Sequence, residues 1–319
     1  MGASTASKAD LVARFKQALD RLNPDAGKIG LAVSGGPDSM AMLLLAHDAI
    51  PGGFEVATVD HGLRPEARDE CALVVAACEE RGVPCEVLTV EVAEGNVQAK
   101  AREARYRALG EWCSRRNLHM VATAHHVDDQ AETLLMRLNR GSGVAGLAGV
   151  RPDQWHDDFD LHIIRPLLGF RRAELAAVVE QVGQRVAEDP SNADDRFERV
   201  RMRQALAGCD WLDPQALAQS ASNLAEAYEA LQGYATSLWP EMVTQTAAGY
   251  SITPGPLREI NRRVLAQAME KMGGRPRGGD VARLLNRLER GEGGNVAGVL
   301  AREQNGQWLL SPEPPRKTG

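Results

Sequence analysis

The sequence predicts a doubly wound parallel α/β sheet followed by a smaller, mainly helical domain. Two observations carry that prediction. Residues 1–212 alternate short, continuous apolar runs with stretches of helical periodicity, the pattern of parallel strands joined by crossover helices, whereas 213–319 is dominated by helical stripes. One apolar run also ends in a glycine-rich turn, Ser34-Gly35-Gly36-Pro37-Asp38-Ser39, that opens directly into a helix.

Strands are expected at 28–33 (KIGLAV), 54–60 (FEVATVD), 85–92 (CEVLTVEV), 119–124 (HMVATA) and 161–168 (LHIIRPLL). They lack strict polar alternation, as strands covered on both faces do. Helical spacing occupies 40–49, 66–81, 97–117, 127–139 and 171–183, and the N-terminal stretch reads as a short tail entering an amphipathic helix. Beyond residue 213, Leu217, Leu224 and Leu231 recur at sevens beside Ala221 and Tyr228, marking a helix that runs to the region of Trp239. Two more helices fit 256–272 and 280–290 around the breaker GGRPRGG, and two strand-like pieces, NVAGVLAR and GQWLLSP, flank a turn at Asn305-Gly306.

Composition narrows the class. A chain of 319 residues suits two domains, and 44% hydrophobic with 25% charged residues sets aside disordered, collagen-like and coiled-coil chains. No apolar run approaches the ~18 residues of a membrane span, and no secretory signal opens the sequence, so a cytoplasmic protein without a membrane partner is expected. Cys71, Cys78, Cys85, Cys113 and Cys209 are odd in number and form no C-x-x-C pair, which speaks against a disulfide framework or a zinc ribbon and for buried, inert thiols. The net charge of −6 argues against a protein that coats nucleic acid. Its distribution is uneven: 258–290 carries nine basic and four acidic side chains, which suits either a phosphate partner or a solvated helical face.

The chemistry centres on the turn at 34–39. Glycines let a backbone approach a ligand closely, and a helix N-terminus offers unpaired N–H groups and the positive end of a dipole, so this is an anion site. It lies at the C-terminal end of a strand, where open α/β sheets bind ligands. Neither the P-loop pattern nor a GxGxxG dinucleotide fingerprint is present. His61 and Arg64 follow the second strand, and His125 and Asp129 follow the fourth, so both pairs are expected to face the turn. Asp129 and Glu132, three apart at a helix start, project from one face. They suit a substrate ammonium, or simply complement the helix dipole. Adjacent His125 and His126 do not share a helical face and lack the partners of a metal site. Arg199, Arg201 and Arg203, basic at every second position, are either a solvated face or contacts for RNA phosphate, of which the RNA contact is favoured. The glycine-rich 140–150 reads either as a plain flexible connection or as one able to adjust around a ligand.

SGGPDS resembles the pyrophosphate loop of the N-type ATP pyrophosphatases, which cleave ATP between the α- and β-phosphates and adenylylate an acceptor. Within that superfamily the series Val59-Asp60-His61-Gly62-Leu63-Arg64, Asn96 with Ala101 to Tyr106, Ala124 to Thr133, Arg137, Arg140 to Gly143 and Gly146 to Gly149 resembles the tRNA(Ile)-lysidine synthetases. Arg165-Pro166-Leu167-Leu168, Glu188-Asp189-Pro190-Ser191-Asn192 and Arg199 to Arg203 fit the same family, so the resemblance spans 29–206.

The resemblance implies an adenine nucleotide alpha hydrolase-like fold and a ligase that adenylylates the wobble cytidine of CAU-anticodon tRNA(Ile) and attaches L-lysine. It implies ATP on Ser34, Gly35, Gly36, Pro37, Asp38, Ser39, His61, Arg64 and His125, with Mg²⁺ on Asp38 and Asp129. Lysine falls to Arg105, Asp129 and Glu132, which with Asp38 form the catalytic set. It further implies tRNA on Arg199, Arg201 and Arg203, with 213–319 as a tRNA-contacting domain, and leaves a homodimer open. Two alternatives stand beside it: a tRNA thiolase of the same superfamily, and a tRNA-binding protein without catalysis.

Overall fold

Strand β1 (Ile29–Ala32) is the pivot of a six-stranded sheet. From it the chain builds outward through β2 (Phe54–Asp60) to β3 (Cys85–Thr89), then returns to the other side of β1 with β4 (Val121–Ala122). All four strands are parallel, as is β6 (Leu161–Ile164) beside β4. The edge strand β5 (Asp153–His156), not anticipated from sequence, runs antiparallel to β6. The reversal of strand order between β1 and β4 is a topological switch point, and it opens a crevice beyond the C-terminal ends of those strands. The computed structural model describes residues 6–62, 66–91, 97–187 and 194–314. Arg64, Asn96 and the segment Glu188 to Asn192 lie outside them.

Helices cover both faces, which is why the strands read as continuous apolar runs. On one side α1 (Lys8–Leu22), α2 (Pro37–Ala49), α3 (Glu66–Glu79) and α7 (Arg172–Gln181) share a core built on Phe15, Met42, Leu45, Val74 and Val178. Helix α2 is buried from Ser39 to Ala46, so its apolar residues show no stripe. On the other side α4 (Val97–Arg116) packs Tyr106, Leu109 and Trp112 against Ala57, Val121 and Ile163. A Cβ on Gly30 of β1 would overlap the Trp112 ring, so the glycine makes room for that indole. Helix α5 (Val127–Asn139) follows β4, and α6 (Val144–Leu147) lies within the glycine-rich connection. That connection is pinned: Arg137 Nη1 donates to the carbonyls of Gly146 (2.6 Å) and Gly149 (3.0 Å), and Gln130 pairs with the backbone of Val150 in both directions. Helix α8 (Glu198–Ala207), also unanticipated, packs on α5.

The chain divides into two compact units, Met1–Ala225 and Glu226–Gly319, inside α9 (Pro214–Met242). The second unit has its own core of Ile260, Val264, Leu265, Leu284, Leu285, Trp308 and Leu310, supplied by α10 (Arg258–Lys271), α11 (Gly278–Leu288) and an antiparallel sheet. The sheet order is β7 (Val243–Thr246), β8 (Gly249–Ile252), β11 (Gln307–Pro312), β10 (Val299–Gln304), β9 (Gly294–Val296). The turn at Asn305-Gly306 and the strand GQWLLSP match the sequence reading, whereas NVAGVLAR, read as one strand, folds back on itself as β9 and β10 around left-handed Ala297 and Gly298, and the β7–β8 hairpin was not anticipated. Several of the basic side chains at 258–290 are held in ion pairs. Arg262 and Arg263 pair with Glu259, Arg258 with Glu289, and Arg283 with Asp280.

Close approach of α4 to the turn at 157–159 yields a test. Gly→Ala in a helix normally gains about 1 kcal/mol, but a Cβ on Gly110 would overlap the carbonyl oxygen of Phe159. Backbone cannot yield cheaply, so overpacking at about 1–3 kcal/mol should win. Gly110→Ala is expected to lower the urea-unfolding midpoint; a raised midpoint would mean the two segments separate freely.

Candidate active site

The turn at 34–39 is held by its own side chains before any ligand arrives. Ser39 Oγ donates to the Gly36 carbonyl (2.9 Å) and accepts from the Ser34 N–H (3.1 Å). Gly35 adopts φ +86°, and a Cβ there would press on the Glu70 carbonyl at 3.1 Å, so only glycine fits without strain. Its carbonyl accepts the Ala187 N–H at 2.9 Å, tying the turn to the segment after α7. Gly36 caps α2 without a side-chain bond and Pro37 occupies the first turn, so the first N–H groups of α2 keep their anion-binding capacity.

A cleft of 380 Å³ opens above this turn, and its walls come from several elements. Ser34, Gly36, Pro37, Asp38 and Ser39 form the floor; Arg105 comes from α4; Thr123, His125 and Asp129 come from the end of β4 and the start of α5; Arg172 and Arg199 close the far side. A neighbouring lobe of 210 Å³ shares Ser34, Glu70 and Arg105 and adds Thr58, Val59, His61 and Cys71. Residues 34, 38, 39, 105, 125 and 129, chosen from sequence, thus meet in one cleft, with His61 in the adjoining lobe. Glu132 lies deeper, 1% exposed and outside the lining. Arg105 forms no ion pair among the described residues, and its buried Nε has no hydrogen-bond partner. Its guanidinium lies 5.4 Å from the centroid of the Tyr106 ring. A half-buried guanidinium without a carboxylate partner among the described residues suits an anion.

His126, which the sequence reading only set aside as a metal ligand, organises the cleft wall. It is fully buried. Its Nδ1 accepts the Asp129 N–H (3.4 Å) while its own N–H donates to Asp129 Oδ2 (3.1 Å), a reciprocal cap on α5. Its Nε2 lies 3.4 Å from Asp38 Oδ2 and 3.5 Å from Asp129 Oδ2, joining α2 to α5. Burial disfavours a charged imidazole, but the nearby carboxylates of Asp38 and Asp129 outweigh it, so the His126 pKa is raised. Asp38 is held below the usual carboxylate range in turn: burial is overcome by His126 and by Arg172, whose Nη2 is 3.6 Å away.

The carboxylates assigned to lysine are already engaged. Arg199 Nε donates to Glu132 Oε2 and Nη2 to Asp129 Oδ1, both at 2.7 Å, and Arg203 Nε donates to Glu132 Oε1 at 2.8 Å. The sequence reading treated Arg199, Arg201 and Arg203 as one row, but they lie on a helix. Positions four apart share a face and the middle one points away. Arg201 accordingly turns to cap the carbonyls of Asp195 and Arg196. Arg199 reaches into the cleft, a placement no local spacing signalled.

The neighbouring His125 behaves oppositely to His126. Burial and the charges of Arg165, Arg199 and Arg105, against the pull of Asp129, push its pKa down to about 4, leaving a neutral ring whose Nδ1 is 3.1 Å from Thr123 Oγ1. His61 is also lowered, by burial and then by Arg105. Between pH 6.5 and 4 an unfolded His125 binds a proton that the folded one refuses, so stability falls as pH drops through that window. Urea unfolding of the wild-type chain should lose stability between pH 7 and pH 5 more steeply than His125→Asn; parallel pH profiles would contradict a depressed His125.

Comparison with known proteins matches this architecture. A family model described as a PP-loop domain covers residues 8–208. The chain is 43% identical over 322 residues to the tRNA(Ile)-lysidine synthase of Novosphingobium aromaticivorans, spanning 100% of this chain and 98% of that one. It is 39% identical to the enzyme of the same name from Zymomonas mobilis over 92% of this chain and 91% of that one. Among solved structures, the U34-tRNA thiolase NcsA from Methanococcus maripaludis superposes with a TM-score of 0.54 at 19% identity over 70% of this chain and 80% of that one, a likeness of fold alone. With the pyrophosphate-loop turn at the switch point of its sheet and relatives matched from end to end, the chain belongs to the tRNA(Ile)-lysidine synthase family.

Proposed function

We propose that the cleft over residues 34–39 uses ATP to attach L-lysine to C2 of the wobble cytidine in CAU-anticodon tRNA(Ile), forming lysidine and changing decoding from AUG to AUA. The full-length likeness to curated lysidine synthases carries this reading. The geometry says how the residues would share the work. The turn and the α2 N-terminus receive the β,γ-pyrophosphate, while the cytidine O2 attacks the α-phosphorus and pyrophosphate leaves. The lysine ε-amine then attacks C2, and AMP departs with the O2 oxygen. Arg105, half-buried and without an ion pair among the described residues, is suited to the lysine carboxylate. Asp129 is suited to the ammonium, which requires Arg199 to give up its bond to that carboxylate. Positioning and charge neutralisation supply most of the catalysis in such a site.

Mg²⁺ fits Asp38 better than Asp129. Asp38 Oδ1 is a buried acceptor without a hydrogen-bond partner, a hard oxygen donor of the type Mg²⁺ prefers, whereas both Asp129 oxygens are engaged by Arg199 and by the His126 N–H. When bound, the ion would neutralise phosphate charge beside the turn. Residues 213–319 are assigned to tRNA contact, and the reaction to the cytoplasm, where tRNA, ATP and free lysine meet. Sulfur transfer finds less support in the thiols: Cys71, Cys78 and Cys113 are buried, and burial pushes the Cys113 thiol up to about 12.

The test is incorporation of labelled lysine into a CAU-anticodon transcript with ATP and Mg²⁺, beside a transcript with another wobble base. Label on the CAU transcript alone is expected. Asp38→Asn should abolish pyrophosphate release, and Arg105→Ala should raise the KM for lysine at least about tenfold, the scale of a lost charge-assisted contact. Pyrophosphate release without lysine incorporation would transfer the site to other adenylylating chemistry.

A further inference from the structure

Trp211 stands out from the five tryptophans. Trp112 and Trp308 are buried in the two cores, and Trp239 packs edge-on against Tyr250. Trp211 is 79% exposed, the most exposed large apolar side chain among the described residues. Leaving an indole in water forgoes the burial that usually stabilises so large a side chain.

The segment that carries it is held firmly. Gly208 and Cys209 close the end of α8 by donating to the carbonyls of Gln204 (3.1 Å) and Leu206 (3.1 Å). Two residues beyond Trp211, Asp213 caps α9: its Oδ1 accepts the Gln215 N–H (3.0 Å) and its carbonyl accepts the Leu217 N–H (3.0 Å). A rigidly presented aromatic loses little freedom on binding.

The position is equally specific. Asp213 Oδ1 lies 3.7 Å from Arg171 Nη1, and Arg171 Nη2 donates to Asp128 Oδ1 at 3.3 Å, at the start of α5. Arg172, next along α7, lines the cleft and reaches Asp38. The turn bearing Trp211 is thus tethered through Arg171 to the elements that form the cleft wall. Arg171, Arg172 and Arg199 keep between 37% and 40% of their side chains exposed there, each paired with a carboxylate, so they can meet a phosphate on contact rather than draw it from afar. An exposed aromatic ring suits single-stranded bases, because every base offers a π-face.

We propose that Trp211 is a stacking platform for an anticodon-loop base flanking the wobble cytidine, holding the loop open while the cytidine enters the cleft. The inference rests on the lysidine-forming reading for the identity of its RNA. It adds a residue of this chain to RNA recognition and assigns it a chemistry distinct from phosphate contact.

Steady-state lysine incorporation into a CAU anticodon stem-loop tests it. Trp211→Ala should raise the KM for the stem-loop about tenfold, within the range measured for loss of one base–aromatic stack, with the KM values for ATP and lysine unchanged. Trp211→Phe should restore most of the affinity. Replacing each nucleotide beside the wobble position by an abasic residue should weaken the wild type at one of the two, and Trp211→Ala no further there. A KM for RNA unchanged in Trp211→Ala, or losses from the variant and the abasic site that simply add, would overturn the proposal. Failure of the wild-type chain to modify or bind the stem-loop would instead overturn the functional reading beneath it.

Discussion

The cleft depends on one buried imidazole. His126 terminates the backbone of α5 through Nδ1 and faces the first turn of α2 through Nε2, so two helices that begin at the ends of neighbouring strands share a single side chain. Burying that ring is favourable only because its polar atoms face partners, and those partners are Asp38 and Asp129, two of the groups that line the cleft. The position of each carboxylate is therefore fixed from behind by a residue that does not itself line the cleft. The sheet supplies the coarse placement, since β1 and β4 are adjacent and parallel. His126 sets the finer one.

Two adjacent histidines illustrate how environment outweighs sequence position. His126 is surrounded by carboxylates and favours its proton, while His125 sits among guanidiniums and gives its proton up. The cleft holds one ring of each kind within a dipeptide, and each helps fix the charge of what stands beside it. Arg199 and Arg203 do the same for Glu132. A carboxylate that is 1% exposed is tolerated because two guanidiniums reach it.

The parts of this structure that were legible in the sequence are those governed by local rules. Strands β1, β2 and β4, the turn at 34–39 and the helix that follows it announce themselves through apolar runs and glycine chemistry, and they bring His61, His125 and Asp129 to the same end of the sheet. What local rules do not encode is pairing between distant segments. The contacts of His126 with Asp38 and of Arg199 with Asp129 cross tens of residues and leave no periodicity behind. Strands β5 and β7, read as DQWH and VTQT, are four residues long and largely polar, so neither carries an apolar signal. The alternation of arginines at 199, 201 and 203 suggested a common surface because α8 was not recognised as a helix; helical geometry splits the set.

The quartet of Arg199, Arg203, Asp129 and Glu132 carries no net charge, and that has a consequence for how a polyanion meets this cleft. Paired charges a few ångströms apart cancel at distance, and what survives is screened within about 8 Å at physiological ionic strength. The quartet therefore contributes little to the far field. Attraction from afar falls to groups whose charge is not cancelled, chiefly Arg105 and the N-terminus of α2. The cleft separates long-range capture from short-range fit: one set of groups draws a ligand in, and the other engages it only on contact.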